Sequence, residues 1–270
     1  NFNPNANILV DLFCGGFAIS EYFLMNGWKV IANDKNKYVI ALLKKVIFEG
    51  LNEKKVLEFI TGEKFDNVMS NPDKYEDWYV GYVMCIWTFG NNQIGYLFGK
   101  KVEPYKQAGH ELVVNNNPNL IKKLITNIPQ KYINGILKQD NWHKKRIALR
   151  KISIKLKTRI FELEQLERLE QLERLEFYND DYRNIIIPKN AIIYCDPSYK
   201  EVSGYKEKDF NSEEFWQWVR EKSKIHKIYV SEYKSPDDFD IILRFPQNST
   251  YRGGNNKNQP DECLFTKKIN

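Results

Sequence analysis

Apolar and polar positions follow two different rhythms along this chain. Near the start, Ile8 to Leu12 is a short apolar run with an acidic residue at its end, followed by Gly15-Gly16. That is the pattern of a buried strand entering a tight turn. Phe17 to Asn26 has helical character and stops at Gly27. Lys29 to Asn33 reads as a second strand closed by Asp34, and Tyr38 to Phe48 carries apolar residues at helical spacing. A β-α-β-α start predicts an α/β fold, with parallel strands joined by crossover helices. The same rhythm returns late in the chain. Ala191 to Cys195 reads as a strand, and Ser212 to Ser223 as a helix with Ser212 and Glu213 at its start. Ile225 to Ser231, Phe239 to Phe245 and Cys263 to Thr266 read as further strands. Arg252 to Gln259 is polar and rich in Gly and Asn, and reads as a mobile loop.

The middle behaves differently. From about Met69 to Tyr178 the pattern predicts helices and Asn-rich loops, with few strand signals. The expected organisation is one catalytic domain in two parts, 1–68 and 177–270, interrupted by a mainly helical insertion over 69–176. Within the insertion, Leu163-Glu164-Gln165-Leu166-Glu167-Arg168 is repeated as Leu169 to Arg174 and runs on into Leu175-Glu176. This composition favours helix. Its leucines recur every third residue, so each step falls about 60° short of a helical turn and the leucine edge winds around the axis. That is not a coiled-coil seam, and no clear dimer face follows from it. The repeat over 163–176 reads as a stiff helical spacer, or as an arm that sets the position of the basic segment before it.

Composition then narrows the class. A length of 270 residues, with 42% hydrophobic and 28% charged positions, is ordinary for a folded enzyme. No apolar run is long enough for a transmembrane helix, and no signal peptide is recognisable, so the expected setting is cytoplasmic. Position 1 is not Met, which implies an upstream segment trimmed or missing. Four scattered cysteines and three separated histidines give neither a disulfide framework nor a metal site. The net charge of +6 is mild, but it is segregated. Lys144 to Arg159 holds eight basic residues and no acidic one. Glu162 to Glu176 sets six Glu against two Arg, a net of −4 that leaves +10 on the remainder.

Two constellations carry candidate chemistry. The first is Asp11-Leu12-Phe13-Cys14-Gly15-Gly16 with Asp34. Glycines after a first parallel strand admit a ligand close to the backbone, and an acidic residue ending the second strand can accept from ribose hydroxyls. These features describe a nucleoside-cofactor pocket rather than a phosphate loop, since neither GxGxxG nor GxxxxGK[ST] is present. The second is Ile192-Ile193-Tyr194-Cys195-Asp196-Pro197-Ser198-Tyr199. It offers a carboxylate at a strand's carboxyl end, a free carbonyl beside Pro197 and the aromatic face of Tyr199, which together suit an exocyclic amine on a planar base.

These motifs resemble the Dam-like, D12 class N6-adenine DNA methyltransferases, especially phage and prophage forms. Asp11 to Gly16 resembles the cofactor motif, Asp196 to Tyr199 the DPPY motif, and Asn179-Asp180-Asp181-Tyr182-Arg183 the acidic-aromatic motif. Tyr229 to Tyr233 and Glu262 to Phe265 resemble the later strands, and the likeness covers most of 8–68 and 177–267. The resemblance implies a Rossmann-like methyltransferase sheet with S-adenosylmethionine as cofactor. It implies Asp11, Phe13, Gly15, Gly16, Asp34 and Asp181 around that cofactor, with Asp181 on its adenine, and Asp196, Pro197 and Tyr199 around a flipped-out target adenine. The sequence departs from the family at Ser198, where the motif has a second Pro, and only Asn1 to Asn7 precede the first strand, where the family has a basic segment.

Duplex DNA is the implied partner, with no membrane and no metal. Trp87 to Lys101 mixes aromatics and amides with adjacent lysines and resembles a segment of phage adenine methyltransferases. Asn91, Asn92 and Gln93 suit adenine edges, and Lys100 and Lys101 suit guanine or phosphate. Lys144, Lys145, Arg146 and Arg150 are the electrostatic candidates for phosphate contact. Alternatives within the same chemistry are N4-cytosine or RNA methylation; a catalytically weak DNA-binding relative is the other. Cytosine C5 chemistry is disfavoured, because it needs a nucleophilic Cys after Pro and this chain has no Pro-Cys pair.

Overall fold

The computed structural model describes residues 7–51, 58–88, 95–152, 172–197, 210–245 and 261–268, without the side chains of 151 and 152. The first strands and helices are β1 (Ile8–Asp11), α1 (Ala18–Met25), β2 (Lys29–Asn33) and α2 (Lys37–Lys44). Then come α3 (Gly62–Ser70), α4 (Asp77–Ile86), α5 (Glu103–Val114), α6 (Asn119–Leu124), α7 (Gln130–Leu137) and α8 (Trp142–Ile152). The chain closes with β3 (Leu175–Tyr178), β4 (Ile192–Cys195), α9 (Ser212–Lys222), β5 (Lys227–Glu232), β6 (Phe239–Phe245) and β7 (Glu262–Lys267). Two compact units result: Asn1–Phe48 with Arg168–Asn270, and Glu49–Glu167.

The first unit is built on a seven-stranded sheet of order β3-β2-β1-β4-β5-β7-β6. Strands β3, β2, β1, β4 and β5 run parallel, while β7 is antiparallel to both β5 and β6. Central parallel strands are covered on both faces, which explains their unbroken apolar runs. Leu9, Val10, Val30, Ile31, Ala32, Ile192 and Ile193 are all buried. On one face, Val10, Leu12, Ile193, Cys195, Val230 and Phe265 join Phe215, Trp216 and Val219 of α9 in a single core. A fully buried Phe or Leu contributes about 2 kcal/mol, so this layer is a main source of stability. The α/β expectation and its elements hold closely, with β2 and β6 falling on the expected residues.

One local reading is corrected. The repeat was expected to stay helical through Glu176, yet Leu172–Arg174 form a 3-10 turn and Leu175 opens β3. Strand pairing of Leu175 to Tyr178 against Val30 to Asn33, with Leu175 buried, overrides a helix propensity of a few tenths of a kcal/mol per residue. The rest of the repeat, 163–171, lies outside the described residues, as does the expected loop at 252–259. The late helix starts at Ser212 as expected, and Asn211 caps it: its side chain accepts from the amides of Glu213 and Glu214.

The second unit is helical among its described residues. Helix α4 is buried almost all round, including Trp78, Tyr79, Tyr82 and Val83. Ala108, Leu112 and Val113 of α5 form a further core with Ile121, Ile133, Ile136 and Leu149 from α6, α7 and α8. No described helix is long and apolar enough to cross a membrane.

Candidate active site

The sheet order reverses between β1 and β4, and open α/β sheets bind ligands at the carboxyl ends beside such a switch point. The sequence puts its chemistry there. Asp11 closes β1, Asp34 follows β2, Asn179 to Arg183 follow β3, and Asp196-Pro197 follow β4. Asp11 and Tyr194 are register partners across β1 and β4, and Asp196 lies two residues beyond Tyr194.

The glycine turn is pinned by its neighbours. The Cys14 amide donates to the Asn33 carbonyl at 2.8 Å, and the Phe17 amide to the Cys14 carbonyl at 2.7 Å. Gly15 has φ +41°, a left-handed conformation that a side chain would strain, and a Cβ on Gly16 would meet nothing within 4 Å. Phe17 is left-handed too, at φ 69°, and is fully buried against Phe177, which offsets the strain. The carboxylate of Asp34 joins the turn to β2: Oδ2 accepts from the Gly15 amide at 3.0 Å and Oδ1 from the Asn36 amide at 2.8 Å. Burial raises the pKa of Asp34, and those two amides oppose the shift.

Asp11 is 1% exposed. Its Oδ2 accepts from Ser20 Oγ on α1 at 2.7 Å, and Oδ1 makes no hydrogen bond of normal geometry. Burial raises its pKa to about 7, with further increments from the negative charges of Asp196 and Asp34; the Ser20 hydroxyl and the Phe13 amide oppose the shift. Asp196 is half-buried and Pro197 buried. Burial also pushes the Cys14 and Cys195 thiols well above their usual range, which suits inert structural thiols rather than nucleophiles.

Beside β2 and β3 lies a pocket lined by Leu12, Phe13, Lys35, Tyr182, Phe210 and Glu214, among others. Phe13 meets Tyr182, Phe210 and Phe215 with ring centroids 5.5, 6.1 and 5.9 Å apart. Asp181 also lines it and is held by Arg183, whose Nε and Nη2 donate at 2.7 and 2.8 Å. That pairing lowers the pKa of Asp181. Arg183 reaches Glu214 at 3.3 Å as well. The apolar walls and carboxylates fit a planar, amine-bearing nucleoside. The acidic-aromatic motif thus meets the end of β2 across 147 residues of sequence, where Asn33 binds Asp180.

The DNA candidates belong to the second unit. Lys100, Lys101, Lys144 and Arg150 are exposed. Lys144 pairs with Asp140 at 2.9 Å. Lys145 is 7% exposed and donates to Asn116 Oδ1 at 2.6 Å, so its ammonium is turned into the fold. Arg146 is half-buried, with its Nε out of solvent. Thr88 and Tyr96 form an antiparallel bridge that brings the two sides of the aromatic-amide segment together. Asn91, Asn92 and Gln93 lie outside the described residues, as do Ser198 and Tyr199. Among the described residues no cluster of three or more His, Cys, Asp or Glu could hold a metal ion.

Sequence reasoning missed Ser20, Phe210 and Glu214 and gave no role to Asn33, an amide closing the second strand, or to Asn179, which opens the acidic-aromatic motif.

The mixed seven-stranded sheet with its helices is consistent with a Rossmann-like methyltransferase fold. Residues 1–80 match the family model of the D12 class N6 adenine-specific DNA methyltransferases, the family that the Asp11 to Gly16 motif within that stretch resembles. No curated protein matches the chain.

Proposed function

We propose that this protein transfers a methyl group from S-adenosylmethionine to N6 of an adenine extruded from duplex DNA. The observation that carries the reading is the convergence of Asp11, Asp34, the Asp181 turn and Asp196 at the carboxyl ends flanking the switch point. Asp34 is the acceptor for ribose hydroxyls and Asp181 for the cofactor's adenine amine. Leu12, Phe13 and Tyr182 supply apolar surface for that base, and the side-chain-free flank of Gly16 admits the ligand to the backbone. Asp11 closes β1 beside them, its Oδ2 held by the Ser20 hydroxyl. The cofactor supplies an electrophilic methyl group.

The chain's own task is to make a poor nucleophile reactive. An aromatic amine delocalises its lone pair into the ring. Asp196 and the Pro197 carbonyl would accept its two N–H groups and favour a more tetrahedral nitrogen; as the N–C bond formed and the S–C bond broke, the surplus proton would leave along the hydrogen bond to Asp196. Holding both reactants in line supplies much of the rate. Tyr199 stacks on the extruded base, since the target atom is out of reach inside a duplex. Exposed Lys100, Lys101, Lys144 and Arg150 contact phosphate, and Asn91, Asn92 and Gln93 read base edges. A cytoplasmic setting in a bacterial or phage-infected cell belongs to the same proposal.

The test is direct. The protein is incubated with adenine-containing duplex DNA and S-adenosylmethionine, the DNA is digested, and nucleosides are resolved by mass spectrometry. N6-methyladenine is expected. N4-methylcytosine, product only on RNA, or DNA binding without product would each overturn the reading.

A further inference from the structure

The strand-end carboxylates do not hold their own spacing. Asp34 and Asp181 sit on turns from different strands, far apart in sequence. Two asparagine side chains tie those turns together. Asn33 is 1% exposed, and all its polar capacity points inward. Its Nδ2 donates to the Leu12 carbonyl and to the Asp180 carbonyl, each at 3.0 Å, and its Oδ1 accepts from the Asp180 amide at 3.0 Å. One carboxamide therefore clamps the turn after β3 and holds it to the end of β1. Asn179 returns the stitch from the other side: its Nδ2 donates to the carbonyls of Asp34 at 2.8 Å and Lys35 at 3.0 Å. Main-chain pairing of β2 with β3 stops at Asn33 and Tyr178, beyond which the Asp34 amide reaches the Tyr178 carbonyl at 3.4 Å.

We propose that Asn33, seconded by Asn179, is the positioning residue of the cofactor pocket, fixing the turn that carries Asp181 relative to the β1 and β2 ends that carry Phe13 and Asp34. The inference rests on the cofactor reading above. A carboxamide suits the role because it donates and accepts at once without charge, so a buried network is satisfied at both ends. Alanine at 33 leaves the Asp180 amide and the Leu12 carbonyl without this partner. The turn then moves independently of β1, and a ligand spanning both must pay to align them.

The experiment measures S-adenosylhomocysteine binding by calorimetry, with thermal melting and steady-state kinetics, for the wild-type chain, Asn33→Ala and Asn179→Ala. For Asn33→Ala a loss of affinity of about tenfold is expected, falling mainly on KM for the cofactor rather than on kcat. A loss of about threefold is expected for Asn179→Ala, whose exposed side chain can be removed without a core defect. Affinity for duplex DNA is unaffected in both. Should Asn33→Ala fail to fold, Asn179→Ala decides. Wild-type affinity in a folded variant overturns the positioning role, as does a kcat loss without a KM change. No binding to the wild-type chain instead sinks the cofactor reading itself.

Discussion

The two units bury comparable side chains but dispose of their polar groups in opposite ways. In the sheet unit, polar groups at the strand ends are drawn inward and bonded within the fold: Asp34 to two backbone amides, Asn33 to three backbone groups, Asp11 to the Ser20 hydroxyl. In the helical unit, most candidate cations stand in solvent, and the one that turns inward, Lys145, is bonded to Asn116. Parallel strands end together on one edge, so a sheet concentrates chemistry at a point. Helices spread their polar faces, so a bundle distributes charge. The comparison teaches where each function can be built: reaction geometry on the sheet, long-range attraction on the helices.

Four variants can break that division. The largest effect is expected at Asp196. Asp196→Ala lowers methyl transfer by about a thousandfold or more and leaves duplex binding largely intact; a fully active variant in a tritiated-methyl assay would remove Asp196 from the chemistry. Next comes combined replacement of Lys100, Lys101, Lys144 and Arg150 by Ala. Affinity for all duplex sequences falls by about tenfold to a hundredfold and the salt dependence flattens, with turnover kept at saturating DNA. An unchanged salt slope counts against a phosphate role for these residues. Asp34→Ala follows, with KM for the cofactor rising about tenfold; unchanged cofactor binding in a calorimeter would detach Asp34 from the pocket.

The smallest effect is thermodynamic. Between the ordinary carboxyl value of 3.8 and about 7, the folded chain holds a proton at Asp11 that the unfolded chain releases. Stability linked to Asp11 is therefore full below that window and lost as pH rises through it. Asp11→Asn keeps an acceptor for Ser20 without the charge. Its melting temperature, measured without ligand, should exceed the wild-type value by roughly 4 °C at pH 8 and by less at pH 5. An advantage that is equal at both pH values would mean that the buried carboxylate carries no penalty.

Much of the sheet was legible beforehand. The apolar runs at Ile8 to Leu12, Lys29 to Asn33 and Ala191 to Cys195 became the central strands β1, β2 and β4, because a strand covered on both faces needs no polar position. β3 escaped for the complementary reason. Leu175-Glu176-Phe177-Tyr178 continues a helix-favouring repeat, and its strand pairing exists only once β2 is beside it. In the candidate site, carboxylates after strands were readable as ligand acceptors. The partners that orient them were not, since Ser20, Asn33 and Asn179 look like ordinary polar residues until folding brings them to Asp11, Asp180 and Asp34.

What the sequence determined by itself was the class: strand-turn motifs with Asp11, Asp34 and Asp196 at fixed places in an α/β order, and a segregated basic segment between them. Those are local properties, set by residue type and spacing along one stretch of chain. What only the tertiary structure decided was which lysine turns inward, where the repeat becomes strand, and which asparagine ties distant turns into one pocket. Those depend on groups separated by as many as 147 positions, whose energies are realised only after the intervening chain has folded.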